Sequence, residues 1–162
     1  KNPGLEKFSR QELKNRMFFA WGINTWTHPG TVELVTEEEK THSGSQCLIF
    51  SPNIPRKKEA HIFQRVSVES GKEYVFKVWA RVDEKVFDKL SPPRIKLCVY
   101  EYRNGKFLPG GPHSSYLPLD KKWKEFSFEY TPREGVNQAC CAIAVIDCPV
   151  YIDDASFTLK EE

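Results

Sequence analysis

The nine residues Arg94–Tyr102, RIKLCVYEY, decide the fold. Ile95, Leu97 and Val99 fall on one side of the run. Arg94, Lys96, Cys98, Tyr100 and Tyr102 fall on the other. A period of two marks a strand with one face in a core. The second face sets two tyrosines in line with two cations, which suits binding better than wetting.

The same alternation recurs on both sides of this run. Glu73–Val82, EYVFKVWARV, places Tyr74, Phe76, Val78, Ala80 and Val82 on one face, with Val75, Lys77, Trp79 and Arg81 on the other. Trp123–Tyr130 turns Phe126, Phe128 and Tyr130 inward. Further strands are expected over Thr31–Thr36, Ser45–Phe50, Ala60–Val68, Gln138–Ile146 and Val150–Leu159. Phe18–Pro29 is aromatic but aperiodic, and Lys106–Asp120 reads as a long Gly/Pro/Ser-rich loop after the turn signal Asn104-Gly105. About nine or ten short strands with almost no helical pattern predict an all-β sandwich or barrel. The apolar run Ala139–Ile146 suits its middle.

The 162 residues are enough for one domain with a real core, and no linker, repeat or low-complexity run divides residues 1–162. Aromatics make up 13% of the chain, which leaves some for a surface site. A net charge of +2 argues against nucleic acid, which asks for a basic excess on one face. No apolar run is long enough to span a bilayer. The chain starts at Lys1, so it is expected to be a cut-out domain or a mature form. Five cysteines without CxxC spacing read mostly as buried thiols, with one disulfide involving Cys148 left open.

Five segments in order carry a family likeness: NPGLE (Asn2–Glu6), THSGSQCL (Thr41–Leu48), HIFQRVSVESGKEYVFKVWAR (His61–Arg81), WKEFSFEYTP (Trp123–Pro132) and YIDDASFTL (Tyr151–Leu159). Together they resemble the jelly-roll carbohydrate-binding modules allied to families 4, 9, 16 and 22, from about Asn2 to Leu159. The resemblance implies a two-sheet antiparallel β-sandwich (jelly roll) that binds a polysaccharide or oligosaccharide without catalysis. It implies a covalently linked catalytic domain, an extracellular or cell-surface setting, and a structural calcium joining the N-terminal segment to the last strand.

Sugars offer C–H faces that aromatic rings stack on, and hydroxyls that planar polar groups satisfy. Lys77, Trp79 and Arg81 on one strand, and Arg94, Lys96, Tyr100 and Tyr102 on the other, supply that mixture. If the two strands pair in one sheet, these residues form a single patch. Trp79 is alternatively packed under a loop, and the tyrosines are alternatively plain strand surface. Gln64 shares parity with Ile62, Val66 and Val68, which points to burial, and it remains a weaker candidate. Trp21 and Trp26 are either stacking platforms or plugs for the sandwich edge. Trp123 either stacks on sugar or covers that edge.

For calcium, which takes carboxylates and carbonyls, the resemblance brings together Gly4, Glu6, Ser43 within the Lys40–Ser43 turn, and Asp153. Asp153 shares parity with Tyr151, Ala155 and Phe157, and Asp154 is expected to face the other way. The alternative is that Asp153 accepts backbone hydrogen bonds or pairs with a lysine. No metal or nucleophile spacing joins His28, His42, His61 and His113, and no carboxylate pair is evident. Glu101 has core-face parity. A protein-interaction or adhesion domain, or a jelly-roll lyase, stands as the alternative function.

Overall fold

Alternating apolar residues form strands because each strand can then bury one face against a second sheet. The computed structural model describes residues 17–18, 21–23, 30–52, 60–83, 93–146 and 149–160. Within them the chain runs β1 (Met17–Phe18), β2 (Trp21–Ile23), β3 (Gly30–Val35), β4 (Cys47–Pro52), β5 (Ala60–Ser67) and β6 (Tyr74–Val82). It continues through β7 (Arg94–Arg103), β8 (Lys106–Leu108), β9 (Leu117–Pro118), β10 (Lys124–Tyr130), β11 (Gln138–Ile146) and β12 (Val150–Leu159). A 3-10 turn at Glu38–Lys40 is the one helical element among the described residues, and no described helix is long and apolar enough to cross a membrane.

The strands form two antiparallel sheets. One has seven strands in the order β1-β2-β5-β11-β7-β8, with β9 also paired to β7. The other has five, in the order β10-β6-β12-β4-β3. This is the expected two-sheet sandwich. Leu48, Phe50, Phe76, Val78 and Ile152 from the smaller sheet meet Ile62, Ile95, Leu97, Val99 and Ile143 from the larger in one core. Burying side chains of this kind stabilises the fold by about 1.5–3 kcal/mol each.

The RIKLCVYEY run lies inside β7. Ile95, Leu97, Val99 and Glu101 point inward, and their burial is complete. β11 lies between β5 and β7. Cys141 faces the core and Cys140 the outer side, so the adjacent pair cannot bridge. Cys47, Cys98, Cys140 and Cys141 are buried free thiols, while Cys148 lies outside the described residues.

Four short strands depart from the sequence reading. β1 straddles the start of the aperiodic aromatic stretch and β2 lies within it, while β8 and β9 lie in the expected long loop. All are only two or three residues long, below the length at which alternation can be read.

Candidate functional site

Because β7 pairs with β11 and β11 with β5, their outward residues line up in rows. Tyr100 lies beside Cys140 and then Arg65. Cys98 lies beside Ala142 and then Phe63; Lys96 lies beside Ala144 and then His61. The central column is therefore low: Cys98, Ala142 and Ala144 form a small-residue floor with Phe63 and Tyr100 packed against it. Tyr100 and His61 reach across β11, with the phenol oxygen 3.2 Å from His61 Nδ1 and the rings stacked 6.0 Å apart.

The Asn104-Gly105 turn, with φ of 50° and 77° at its two residues, reverses the chain tightly. That sets Phe107 opposite Tyr102, with ring centroids 5.7 Å apart. The Arg65 guanidinium lies over the Tyr102 ring at 4.7 Å. Further on, the chain returns along the same edge of β7. The Val99 amide donates to Pro112 O (2.9 Å), the Ser114 amide to Leu97 O (2.8 Å) and the Leu97 amide to Ser114 Oγ (3.0 Å). This run delivers Tyr116 to Lys96 and Arg94, at 5.0 Å and 5.4 Å from its ring. Phe107 is 53% exposed and Tyr116 39%, two of the three large hydrophobics that the described residues leave exposed. The outer face of the seven-stranded sheet is thus a shallow aromatic field with cations at both ends.

The expected union of the two candidate rows does not form. β6 belongs to the five-stranded sheet, paired with β10 and β12, and β7 to the seven-stranded one. Each strand buries its apolar row between the sheets, so Lys77, Trp79 and Arg81 point out of one side of the sandwich. Arg94, Lys96, Tyr100 and Tyr102 point out of the other. Parity says which face of a strand is inward, but not which sheet holds the strand.

On the five-stranded side the rings are already engaged. His42 stacks on Trp79 with centroids 3.8 Å apart and an interplanar angle of 16°, and meets Trp123 edge-on at 5.6 Å. Trp79 is packed under a loop, the duller of its two readings. Arg81 lies over Tyr151 at 4.2 Å and Trp123 at 5.3 Å, and Trp123 packs against the Val35, Cys47 and Tyr151 cluster. Lys77 sits 3.3 Å from Glu125 Oε1. A depression of about 540 Å³ adjoins Trp123, lined also by Lys40, Arg81, Asp83, Lys121 and Tyr151. Gln64 is half-buried on the inner parity, opposite Cys141, so it does not join the Tyr100 row. Trp21 lies opposite Gln64 in the β2–β5 register. Trp26, Gly4 and Glu6 lie outside the described residues.

The last strand also departs from simple parity. Asp153 pairs with Trp79 and Ser156 with Lys77, so β12 holds one extra residue in a bulge. Asp154 takes φ 45° within it. Tyr151 and Asp153 consequently face outward, while Ala155 and Phe157 face the core. Both carboxylates converge on the 42–43 turn instead of facing apart. Asp153 Oδ2 accepts the amides of His42 (2.9 Å) and Ser43 (3.2 Å), and its Oδ1 accepts that of Asp154 (2.8 Å). Asp154 binds His42 Nδ1 at 2.7 Å and the Ser43 hydroxyl at 2.8 Å. Asp153 is 1% exposed, and burial raises its pKa from the usual aspartate value against the pull of these amides. Gln46 Oε1, at the end of the same turn, is buried without a hydrogen-bond partner.

Glu101, the carboxylate beside the two tyrosines, faces the core and has no catalytic access. It accepts the Tyr130 hydroxyl (3.0 Å) and the Arg133 amide (2.9 Å), and pairs with Arg133 Nε. Arg133 in turn donates to Pro109 O at 3.1 Å, bracing the segment that leads to Tyr116.

The sequence reading missed His61, Phe63, Arg65, Phe107 and Tyr116 on the aromatic face. Phe107 was within reach, since a two-residue Asn-Gly hairpin places it opposite Tyr102. The β5 residues also alternate with Ile62, but only the order β5-β11-β7 brings them to the tyrosines.

A two-sheet sandwich with an aromatic outer face defines a class of ligand-binding β-domains. The model of the carbohydrate binding domain family known as CBM_4_9 matches residues 11–146, and the chain belongs to that family. The search of curated protein sequences gives no match. Among solved structures, the fold is similar to a Clostridium thermocellum endo-1,4-beta-D-xylanase 10B, whose CBM22-1 and GH10 modules were solved with xylohexaose. That match has TM-score 0.63 and 15% identity over 88% of this chain and 26% of that one. The TmCBM61 module in complex with beta-1,4-galactotriose aligns at TM-score 0.60 and 18% identity, over 100% of this chain and 97% of that one. A bacteriophage CBA120 tailspike protein 4 domain aligns at 0.64 and 14% identity, over 88% of this chain. This chain spans 20% of the tailspike domain and 26% of the xylanase chain. Membership of this family places the domain with carbohydrate-binding domains.

Proposed function

We propose that this domain binds a polysaccharide chain on the outer face of the seven-stranded sheet, with Tyr100, Tyr102, Phe107 and Tyr116 as stacking surfaces. It acts outside the cell as the targeting module of an attached glycan-degrading enzyme, raising that enzyme's local substrate concentration. The observation that carries this reading is the exposure of Phe107 and Tyr116 beside a floor of Cys98, Ala142 and Ala144. Large rings left in water around a low floor accept the flat faces of sugars, and monomeric domains rarely leave such patches without use. The five-stranded side supports the reading by contrast, since Trp79 stacks on His42 at 3.8 Å, closer than the ring pairs of the aromatic face.

Affinity electrophoresis through gels containing soluble polysaccharides is the test. Tyr102→Ala and Phe107→Ala each remove a stacking ring, worth about 1 kcal/mol or roughly fivefold in affinity. Retardation that survives both changes but disappears in Trp123→Ala would move the site to the other sheet.

A structural calcium at the Asp153 turn is a second reading. The chain offers part of a donor set, a buried carboxylate at Asp153 and the carbonyls of the 40–43 turn. But Asp153 already accepts three backbone amides, and the described residues bring together no group of three His, Cys, Asp or Glu side chains for a metal, so the site would depend on Glu6. Asp153 and Ser43, the latter through its carbonyl, would hold the ion together with Gly4 and Glu6, and it would pin the N-terminal segment to β12. Chelator is expected to lower Tm by several degrees, with recovery on adding calcium. An unchanged melt and no metal by elemental analysis would remove this reading.

A further inference from the structure

The charge on the aromatic face is one-sided, and this bears on which glycan the domain takes. Among the described outward positions of β5, β7, β8 and β11 there is no aspartate or glutamate. Arg65, Arg94 and Lys96 are the ionised groups there, with His61 beside them. The opposite outer face mixes signs, with Glu33, Glu125, Glu129 and Asp153 among Lys77 and Arg81. Among the described residues, charge is therefore separated by face. A neutral sugar hydroxyl needs acceptors as well as donors, and protein sites for it usually include carboxylates. Arginine and lysine only donate.

The cations are also placed against rings. Arg65 covers Tyr102 near one end of β7, and Arg94 and Lys96 flank Tyr116 near the other. Lys96 and Tyr102 are six residues apart in one strand, about 20 Å at the usual rise. Each end thus pairs a stacking surface with a positive group, and among the described outward positions no carboxylate lies between them to repel an anion.

Resting on the reading of this face as the glycan site, we propose that its ligand is an anionic polysaccharide. The rings stack on the sugar faces while Arg65 and Arg94 take the acidic substituents of well-separated units. Arginine's planar fork suits a carboxylate or a sulfate ester, and either source satisfies the geometry.

The test is isothermal titration of the intact domain with three ligands: oligogalacturonate, a sulfated galactan oligosaccharide and a neutral β-1,4-glucan oligosaccharide. Each is measured at 0.05 M and 0.5 M NaCl. An anionic ligand is expected to bind at least tenfold more tightly than the neutral one. Its affinity is expected to fall about tenfold at the higher salt, where exposed charges are screened. Arg65→Gln and Arg94→Gln keep hydrogen bonding but remove charge, and each should weaken anionic binding about fivefold with the melting temperature unchanged. Preference for galacturonate assigns the carboxylate as the source, and preference for the galactan assigns the sulfate ester. Equal or tighter neutral binding that ignores salt and both arginine changes, yet is lost in Phe107→Ala, overturns the anionic ligand and leaves the glycan face standing. Binding of every ligand that is indifferent to Phe107→Ala and Tyr102→Ala overturns the face itself. Binding to none of the three overturns the anionic ligand.

Discussion

Replacing Glu101 by alanine tests how the core supports the binding face. Glu101 is 0% exposed and gathers three donors: the Tyr130 hydroxyl, the Arg133 amide and Arg133 Nε. Alanine leaves the buried Tyr130 hydroxyl and the part-buried Arg133 amide without an acceptor, at about 1–3 kcal/mol each. The Arg133 side chain is 49% exposed, so water re-solvates it and the lost ion pair adds little. The sum is about 3–4 kcal/mol, which for a domain of this size lowers Tm by roughly 10 °C. Glu101→Gln keeps an acceptor oxygen and should lose about half as much. Calorimetry of both variants beside the wild type is the assay. A second readout follows from Arg133, which also holds Pro109 O: amide exchange along residues 109–116 should quicken in Glu101→Ala. A Tm change under about 2 °C, with exchange unaltered, would refute the account of Glu101 as the brace of this segment.

Other outcomes follow from the same packing. Trp79→Ala removes the ring that His42 stacks on; it should lower Tm and leave glycan affinity within twofold, read by calorimetry and affinity electrophoresis. Gly111→Ala would drive its new Cβ into Val99 O, so β7 and the returning segment must part, with a loss of at least about 1–3 kcal/mol and weakened glycan binding, read by the same two assays. Burial pushes the Cys47 thiol up to about 12 and Cys140 to about 11. At pH 8 a thiol-specific disulfide reagent should therefore label at most one of five cysteines until the chain is unfolded. These two thiols keep their protons longer in the folded state than in the unfolded one, where they leave near pH 9. Their contribution to stability is complete below pH 9 and declines as pH rises towards 11–12, and so urea midpoints should fall across that range.

Alternation alone established the long strands, the inward rows of those without a bulge, and a sandwich or barrel class. Ile95, Leu97, Val99 and Glu101 took the inward side of β7, as the period of two requires. It also marked Tyr100 and Tyr102 as an outer pair, because a side chain's face depends only on its place in the pleat. What it left open was which strands are neighbours. Strand pairing is carried by backbone hydrogen bonds, which are the same for every sequence, and by packing between residues far apart in the chain. That is why Trp79 and Tyr100, alike in parity, were expected on one surface and lie on opposite sides of the sandwich. Local irregularity was equally hidden: a single extra residue in β12 turned Asp153 and Phe157 to different faces. The sequence determined the chemistry of each face, with tyrosines and cations alternating against apolar residues. The order β5-β11-β7 alone decided that Phe63, Arg65, Tyr100 and Tyr102 meet over a floor of Ala142 and Ala144, since only tertiary packing chooses one partner for each strand.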